Sequence, residues 1–142
     1  MISLRGFLIA GTVAVMATAT APALAQSGDP VKGEQVFKKC MTCHRVGDGA
    51  KNMVGPVLTG VIGRKSGTIE GFSYSTLNKK AGEAGLVWTE ALIFEYLADP
   101  NAFLKKFLEG KGIKEASNTK MVLKLPSETE RRDVIAYIAK FK

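Results

Sequence analysis

The chain has 142 residues, 20 Lys+Arg against 13 Asp+Glu for a net charge of +7, two cysteines and one histidine. The positive balance suits an acidic partner, whether nucleic acid, anionic membrane or acidic protein. No helix-turn-helix or RNA-binding signature accompanies it, which argues against nucleic acid. So few Cys and His residues also fall short of the four ligands that a structural zinc site takes.

Residues 1–25 read as an export signal. Arg5 is the lone charge, Phe7 to Ala17 is a short apolar run, and Ala23-Leu24-Ala25 is a small-x-small cleavage site. The run is shorter than the roughly 20 apolar residues that cross a bilayer as a helix. Retention as an uncleaved anchor is the competing reading. Cleavage after Ala25 leaves residues 26–142, enough for one compact domain. The leader takes away Arg5 and no acid, so the mature chain stays basic. No later segment is long and apolar, so a soluble periplasmic protein is expected, and that location also argues against nucleic acid.

Asp29-Pro30 is a helix start, with Asp as cap and Pro at the first position. The helix is expected to run to about Cys40, with Val36, Phe37 and Cys40 on one face. Gly33 at a helical position costs stability and marks either close approach of another helix or simple tolerance. Cys40-Met41-Thr42-Cys43-His44 follows. This is Cys-x-x-Cys-His, the attachment sequence for c-type haem. Two cysteines at that spacing can both reach the vinyl groups on one edge of a porphyrin and form two thioethers. The next residue, His44, then offers an imidazole to the iron. A thioredoxin-like dithiol is the other reading of Cys-x-x-Cys, but it wants a βαβ context that is missing. Haem attachment in bacteria takes place outside the cytoplasm, in keeping with the leader.

From Gly47 to Gly71 the chain is rich in Gly, Asp and Lys and is expected to be loop. So long an irregular segment is reasonable when it wraps a large ligand. A short helix is expected over Ser75 to Gly82. Thr89 caps a clearer one, with Leu92, Ile93, Tyr96 and Leu97 as its apolar face. Asp99-Pro100 breaks it and starts another, whose stripe is Phe103, Leu104, Phe107 and Leu108. Gly110 to Asn118 is polar and loop-like. The last helix opens at Ser127, where Glu130 completes a capping box. Its buried face is Val134, Tyr137, Ile138 and Phe141, at i, i+3, i+4 and i+7. The class is all-α with long loops.

The second axial position of the iron separates an electron carrier from a gas binder or enzyme. With His44 used, methionine is the strong candidate. Met1 and Met16 leave with the signal, and Met41 is locked between the cysteines. Met53 follows His44 closely, in a loop expected on the His side. Met121 lies far along the chain, after helices that can carry it round the ring, and is favoured. Core filling is the commoner fate of a methionine.

These residues carry a resemblance. The chain resembles the class I cytochromes c, most closely the bacterial cytochromes c2 of the long form, over nearly all of the mature sequence. The likeness rests on Gly33-x-x-Val36-Phe37-x-x-Cys40-x-x-Cys43-His44, Gly55-Pro56, Gly63-Arg64-Lys65-x-Gly67 and Gly71-Phe72-Ser73-Tyr74. It continues through Trp88, Glu95-Tyr96-Leu97-x-x-Pro100, Thr119-Lys120-Met121 and Val134-Ile135-Ala136-Tyr137. It implies the class I cytochrome c fold around one covalent haem c, with Met121 as sixth ligand and the Pro56 carbonyl accepting from His44. Arg64, Tyr74 and Trp88 match positions near the propionates, and Asn78 and Tyr96 match polar groups inside the pocket. Gly33 and Phe37 match a first-helix contact with Val134 and Tyr137, in favour of close packing at Gly33. The chain departs from the mitochondrial pattern by a longer stretch between Pro100 and Thr119 and by added residues between Asn78 and Trp88.

The function so implied is one-electron shuttling by a monomer that docks transiently on membrane proteins. The donor is a cytochrome bc1 complex, and the acceptor a photosynthetic reaction centre or a terminal cytochrome oxidase. Lys38, Lys39, Lys51, Lys105, Lys106, Lys120 and Lys124 are expected to ring the exposed haem edge and steer docking. A solvated charged face is their ordinary alternative. The resemblance also implies that Lys120 or Lys124 displaces Met121 at high pH. The competing class is an open-site haem enzyme or gas sensor with peroxidase-like activity, for which no spare histidine exists.

Overall fold

The computed structural model describes residues 27–142, so the export signal and its cleavage site lie outside the described residues. Five helices follow in order: α1 (Pro30–Phe37), α2 (Thr76–Glu83), α3 (Glu90–Ala98), α4 (Pro100–Glu109) and α5 (Glu128–Ile138). Each is started by a side chain that accepts orphan N–H groups of the first turn. Asp29 does this for α1, Ser75 for α2, Thr89 for α3, Asp99 for α4 and Ser127 for α5. Among the described residues there is no strand, only one isolated bridge between Lys65 and Val87. Residues 38–75 hold no helix, as their glycine content predicts.

The frame is the crossing of α1 and α5. Gly33 makes it possible: a Cβ there would lie 1.9 Å from the Asp133 carbonyl oxygen and 2.8 Å from Tyr137 Cβ. The close-packing reading of this glycine therefore holds. One turn along, the Phe37 and Tyr137 rings sit with centroids 5.3 Å apart. The crossing is also pinned by charge, because the Asp29 N–H donates to Asp133 Oδ1 at 2.7 Å.

Buried Val36, Phe37, Val134 and Ile138 meet Ile93 and Leu97 of α3 and Leu104 and Leu108 of α4 in one core. The apolar stripes read from the sequence hold except at Phe141, which lies beyond the end of α5 and outside the core. Ile93, Leu97, Leu104 and Leu108 are buried, whereas Phe103, Phe107 and Tyr137 are partly buried.

Two features of α5 differ from expectation. The Ser127 hydroxyl accepts from the Glu130 N–H at 3.3 Å, but the Glu130 carboxylate does not return to the cap. It pairs instead with Lys39 at 2.6 Å, beside the cysteine motif, so only half of the capping box forms. The buried face also includes two charged residues, Arg131 and Asp133. Arg131 donates to the carbonyls of Leu125 and Pro126, at 2.7 and 2.9 Å, and lies 4.3 Å from the Phe94 ring centroid. Its charge is thus neutralised by carbonyl dipoles and a ring face rather than by an acid.

Candidate functional site

After α1 the chain closes into overlapping turns. The Cys40 N–H bonds the Phe37 carbonyl at 2.7 Å, and the Cys43 and His44 N–H groups both bond the Cys40 carbonyl, at 3.0 and 2.8 Å. Both cysteines are unpaired. Both face, with His44, an apolar cleft of about 220 Å³ that runs into the core. Burial pushes the Cys40 thiol up to about 11, against the smaller downward pull of Lys39, so it is neutral and packs as an apolar group.

His44 is buried and fixed. Its Nδ1 lies 2.7 Å from the Pro56 carbonyl oxygen. A carbonyl can only accept, so Nδ1 carries the proton and Nε2 keeps its lone pair. Burial holds the imidazole below its ordinary pKa, opposed by the Pro56 bond and assisted by the Arg64 charge. Gly55 is the floor under the ring, since a Cβ there would lie 2.5 Å from His44 Cε1. The Gly55 N–H donates to the Cys43 carbonyl at 2.8 Å, which closes this loop back on the motif.

The remaining polar groups named from the sequence all line the same cleft. Arg64 donates to the carbonyls of Thr59 and Val57, at 3.2 and 2.9 Å, and has no carboxylate partner among the described residues. Burial lowers its pKa, and burial raises that of the neighbouring Tyr74. Trp88 is buried and packs on Tyr96 at 4.8 Å between centroids. The Asn78 side-chain oxygen accepts from Ser75 at 2.7 Å and from Thr119 at 2.9 Å. Burial pushes the Tyr96 hydroxyl up to about 12, so it is a permanent donor at neutral pH.

Met121 lines this cleft as well, and the Tyr96 hydroxyl donates to its sulfur at 3.4 Å. Met53 does not line it and is 50 % exposed; Met41, between the cysteines, is 45 % exposed. Of the lysines expected around the cleft, Lys39 and Lys120 alone line it. Lys39 is tied to Glu130 and Lys124 to Asp99, both at 2.6 Å. Lys120 donates to the Ser73 carbonyl at 2.6 Å, and Lys105 to Asn118 at 3.0 Å. Exposed Val54 and Val122 complete the mouth.

These residues fit a haem. Two unpaired thiols and an imidazole with its Nδ1 proton held by Pro56 meet at one end of an apolar slot. Elsewhere the slot holds a half-buried guanidinium with no anion of its own, a natural match for a propionate. Comparison with known proteins decides the family. The family model described as cytochrome c matches residues 30–142.

The chain belongs to the cytochrome c family.

It is 64 % identical over 118 residues to cytochrome c2 iso-1 of Rhodospirillum centenum, covering 82 % of this chain and 98 % of that protein. It is 61 % identical over 116 residues to a cytochrome c2 of Rhodopseudomonas palustris, covering 80 % and 99 %. The solved structure of cytochrome c2 from Rhodospirillum centenum superposes with a TM-score of 0.79 at 63 % identity, over 80 % of this chain and 98 % of that one. The ferricytochrome c2 of Rhodopseudomonas palustris gives 0.76 at 60 % identity, over 80 % and 99 %. This cytochrome therefore has the class I fold, carries one haem c attached through Cys40 and Cys43, and is an electron carrier. Sequence reasoning missed the two charged residues of α5 and the partners of Lys39 and Lys124. No local pattern marks a contact between distant segments.

Proposed function

We propose that this cytochrome is a periplasmic one-electron shuttle with His44 and Met121 as its axial ligands. The donor is a cytochrome bc1 complex, and the acceptor a photosynthetic reaction centre or terminal oxidase. The observation that carries the reading is that a single cleft is lined by His44, with Nε2 free, and by Met121, while Met53 is outside it. Bound haem supplies an iron that cycles between Fe(III) and Fe(II).

The chain's own residues suit that cycle. The Pro56 bond holds the His44 ring in one tautomer and orientation, so the imidazole needs no rearrangement between states. A thioether is a soft donor that favours the reduced iron and raises the potential. Tyr96, Asn78 and Thr119 hold the Met121 segment through hydrogen bonds to its sulfur, to one another and to its N–H. Arg64 and Tyr74 offer donors to the propionates, and the apolar walls keep water from the ring. At the mouth, Val54 and Val122 give a small apolar contact patch, and Lys39 and Lys120 give positive charge beside it. A patch of that kind suits brief docking on acidic membrane proteins. The protein acts as a monomer released from its leader, and its likeness to cytochromes c2 of Rhodospirillum and Rhodopseudomonas supports the electron-carrier reading.

The test is the visible spectrum of the oxidised and reduced holoprotein, with and without carbon monoxide. The oxidised protein shows a sulfur-to-iron charge-transfer band, and the reduced protein does not bind carbon monoxide. Met121→Ala loses the band and Met53→Ala keeps it. Ready carbon monoxide binding by the unmodified protein would replace this reading with an open-site haem protein.

A further inference from the structure

Between α4 and Met121 the chain crosses residues 110–118 without regular structure. Haem attachment and axial ligation do not account for how firmly this strap is tied to α2. A Glu115 carboxylate oxygen lies 2.5 Å from Lys80 Nζ, and the Glu115 side chain is 12 % exposed against 42 % for Lys80. The other oxygen of Glu115 accepts from the Ser117 N–H at 2.9 Å, so the carboxylate also shapes the strap itself. Lys80 and Ser117 together hold this carboxyl down at about 2, and it stays ionised. On the same helix, Asn78 Oδ1 accepts from Thr119 Oγ1 at 2.9 Å, and Thr119 Oγ1 accepts from the Met121 N–H at 3.3 Å. One helix therefore holds the chain at two points, Glu115 within the strap and Thr119 just after it, the second linked directly to the Met121 backbone.

We propose that the Lys80–Glu115 pair is a latch that seats the strap on α2 and thereby sets how readily Met121 leaves the iron. This rests on Met121 being the axial ligand. Lys80 and Glu115 do not line the cleft, so they are positioning residues. Their effect is read through competition. An added ligand binds the iron only while Met121 is away, so its apparent affinity is its intrinsic affinity scaled by the fraction of protein with Met121 detached. Opening the latch raises that fraction. The pair is partly screened, so the change is about two- to fivefold.

The experiment is an imidazole titration of the ferric holoprotein, followed by its visible spectrum. Lys80→Met and Glu115→Gln each tighten imidazole binding about two- to fivefold. Glutamine can keep the Ser117 bond, so the second change removes charge with little else. The charge-swapped Lys80→Glu/Glu115→Lys protein returns close to the original affinity. Glu128→Gln, which removes an exposed pair with Arg132 on α5 at 3.1 Å, leaves the affinity unchanged. Unmoved affinity in the two latch variants, or equal tightening in Glu128→Gln, overturns the latch while leaving the axial ligand in place. A charge-transfer band that survives Met121→Ala removes the ligand assignment itself, and the latch with it.

Discussion

The hydroxyl of Tyr96 donates a hydrogen bond to the sulfur of Met121 at 3.4 Å, joining the third helix to the segment that follows the strap. The two residues are 25 apart in the chain. Tyr96 also packs at a tilt against Trp88 and edge-to-face against Phe103, with centroids 4.8 and 5.8 Å away, so the hydroxyl is held in place by its ring.

A donor on the thioether draws density from the sulfur and weakens it as a ligand, more so for Fe(III) than for Fe(II). Tyr96→Phe removes the donor and keeps the ring packing. The prediction is a lower reduction potential, read by equilibrium redox titration, with the charge-transfer band retained. An unchanged or raised potential would show that this bond does not act on the sulfur.

Gly33 sits inside α1, where alanine would ordinarily favour a helix by about 1 kcal/mol. Here a methyl group would enter the space of the Asp133 carbonyl at 1.9 Å. Gly33→Ala is therefore expected to destabilise the holoprotein by about 1–3 kcal/mol through overpacking. The midpoint of denaturant unfolding measures it. The sign alone separates a packed crossing from a tolerated glycine.

Lys39 and Lys120 flank the cleft mouth, and the chain carries a net charge of +7. Charge steering predicts that electron exchange with an acidic membrane partner slows as ionic strength rises. Lys120→Glu should slow the low-salt rate and flatten the salt dependence, whereas Lys106→Glu, away from the mouth, should do less. Stopped-flow rates that ignore ionic strength would defeat this account.

Lys124 is held by Asp99 at 2.6 Å. The bond from the Ala102 N–H and the one from Lys124 keep the Asp99 carboxyl below its ordinary pKa, so it is charged at all higher pH. The ion pair holds the Lys124 amine at Asp99. Asp99→Asn preserves the helix cap, because asparagine also accepts from Ala102, but it releases Lys124. If Lys124 is the base that displaces Met121 at high pH, the alkaline loss of the charge-transfer band moves to lower pH in Asp99→Asn. A midpoint that stays put would point to Lys120, which is tied to the Ser73 carbonyl.

What the sequence determined by itself was local. Cys-x-x-Cys-His with one histidine in the chain named the cofactor. Asp29-Pro30, Ser75, Thr89, Asp99-Pro100 and Ser127 named the five helix starts, because a cap is a side chain bonding a backbone N–H two or three residues on. The spacing of Ile93 with Leu97 and of Leu104 with Leu108 gave the buried faces for the same reason, since helical period is a short-range property. The tertiary structure decided what depends on distant segments meeting. Glu130 had two possible partners, its own cap and Lys39, and the crossing of α1 with α5 gave it to Lys39. Asp133 is buried because it receives the Asp29 N–H from 104 residues away, and Arg131 because two carbonyls and the Phe94 ring replace its water. Only packing of all the helices brought Met121 to the cleft of His44 and left Met53 outside it, with Lys80 and Glu115 closing the strap between.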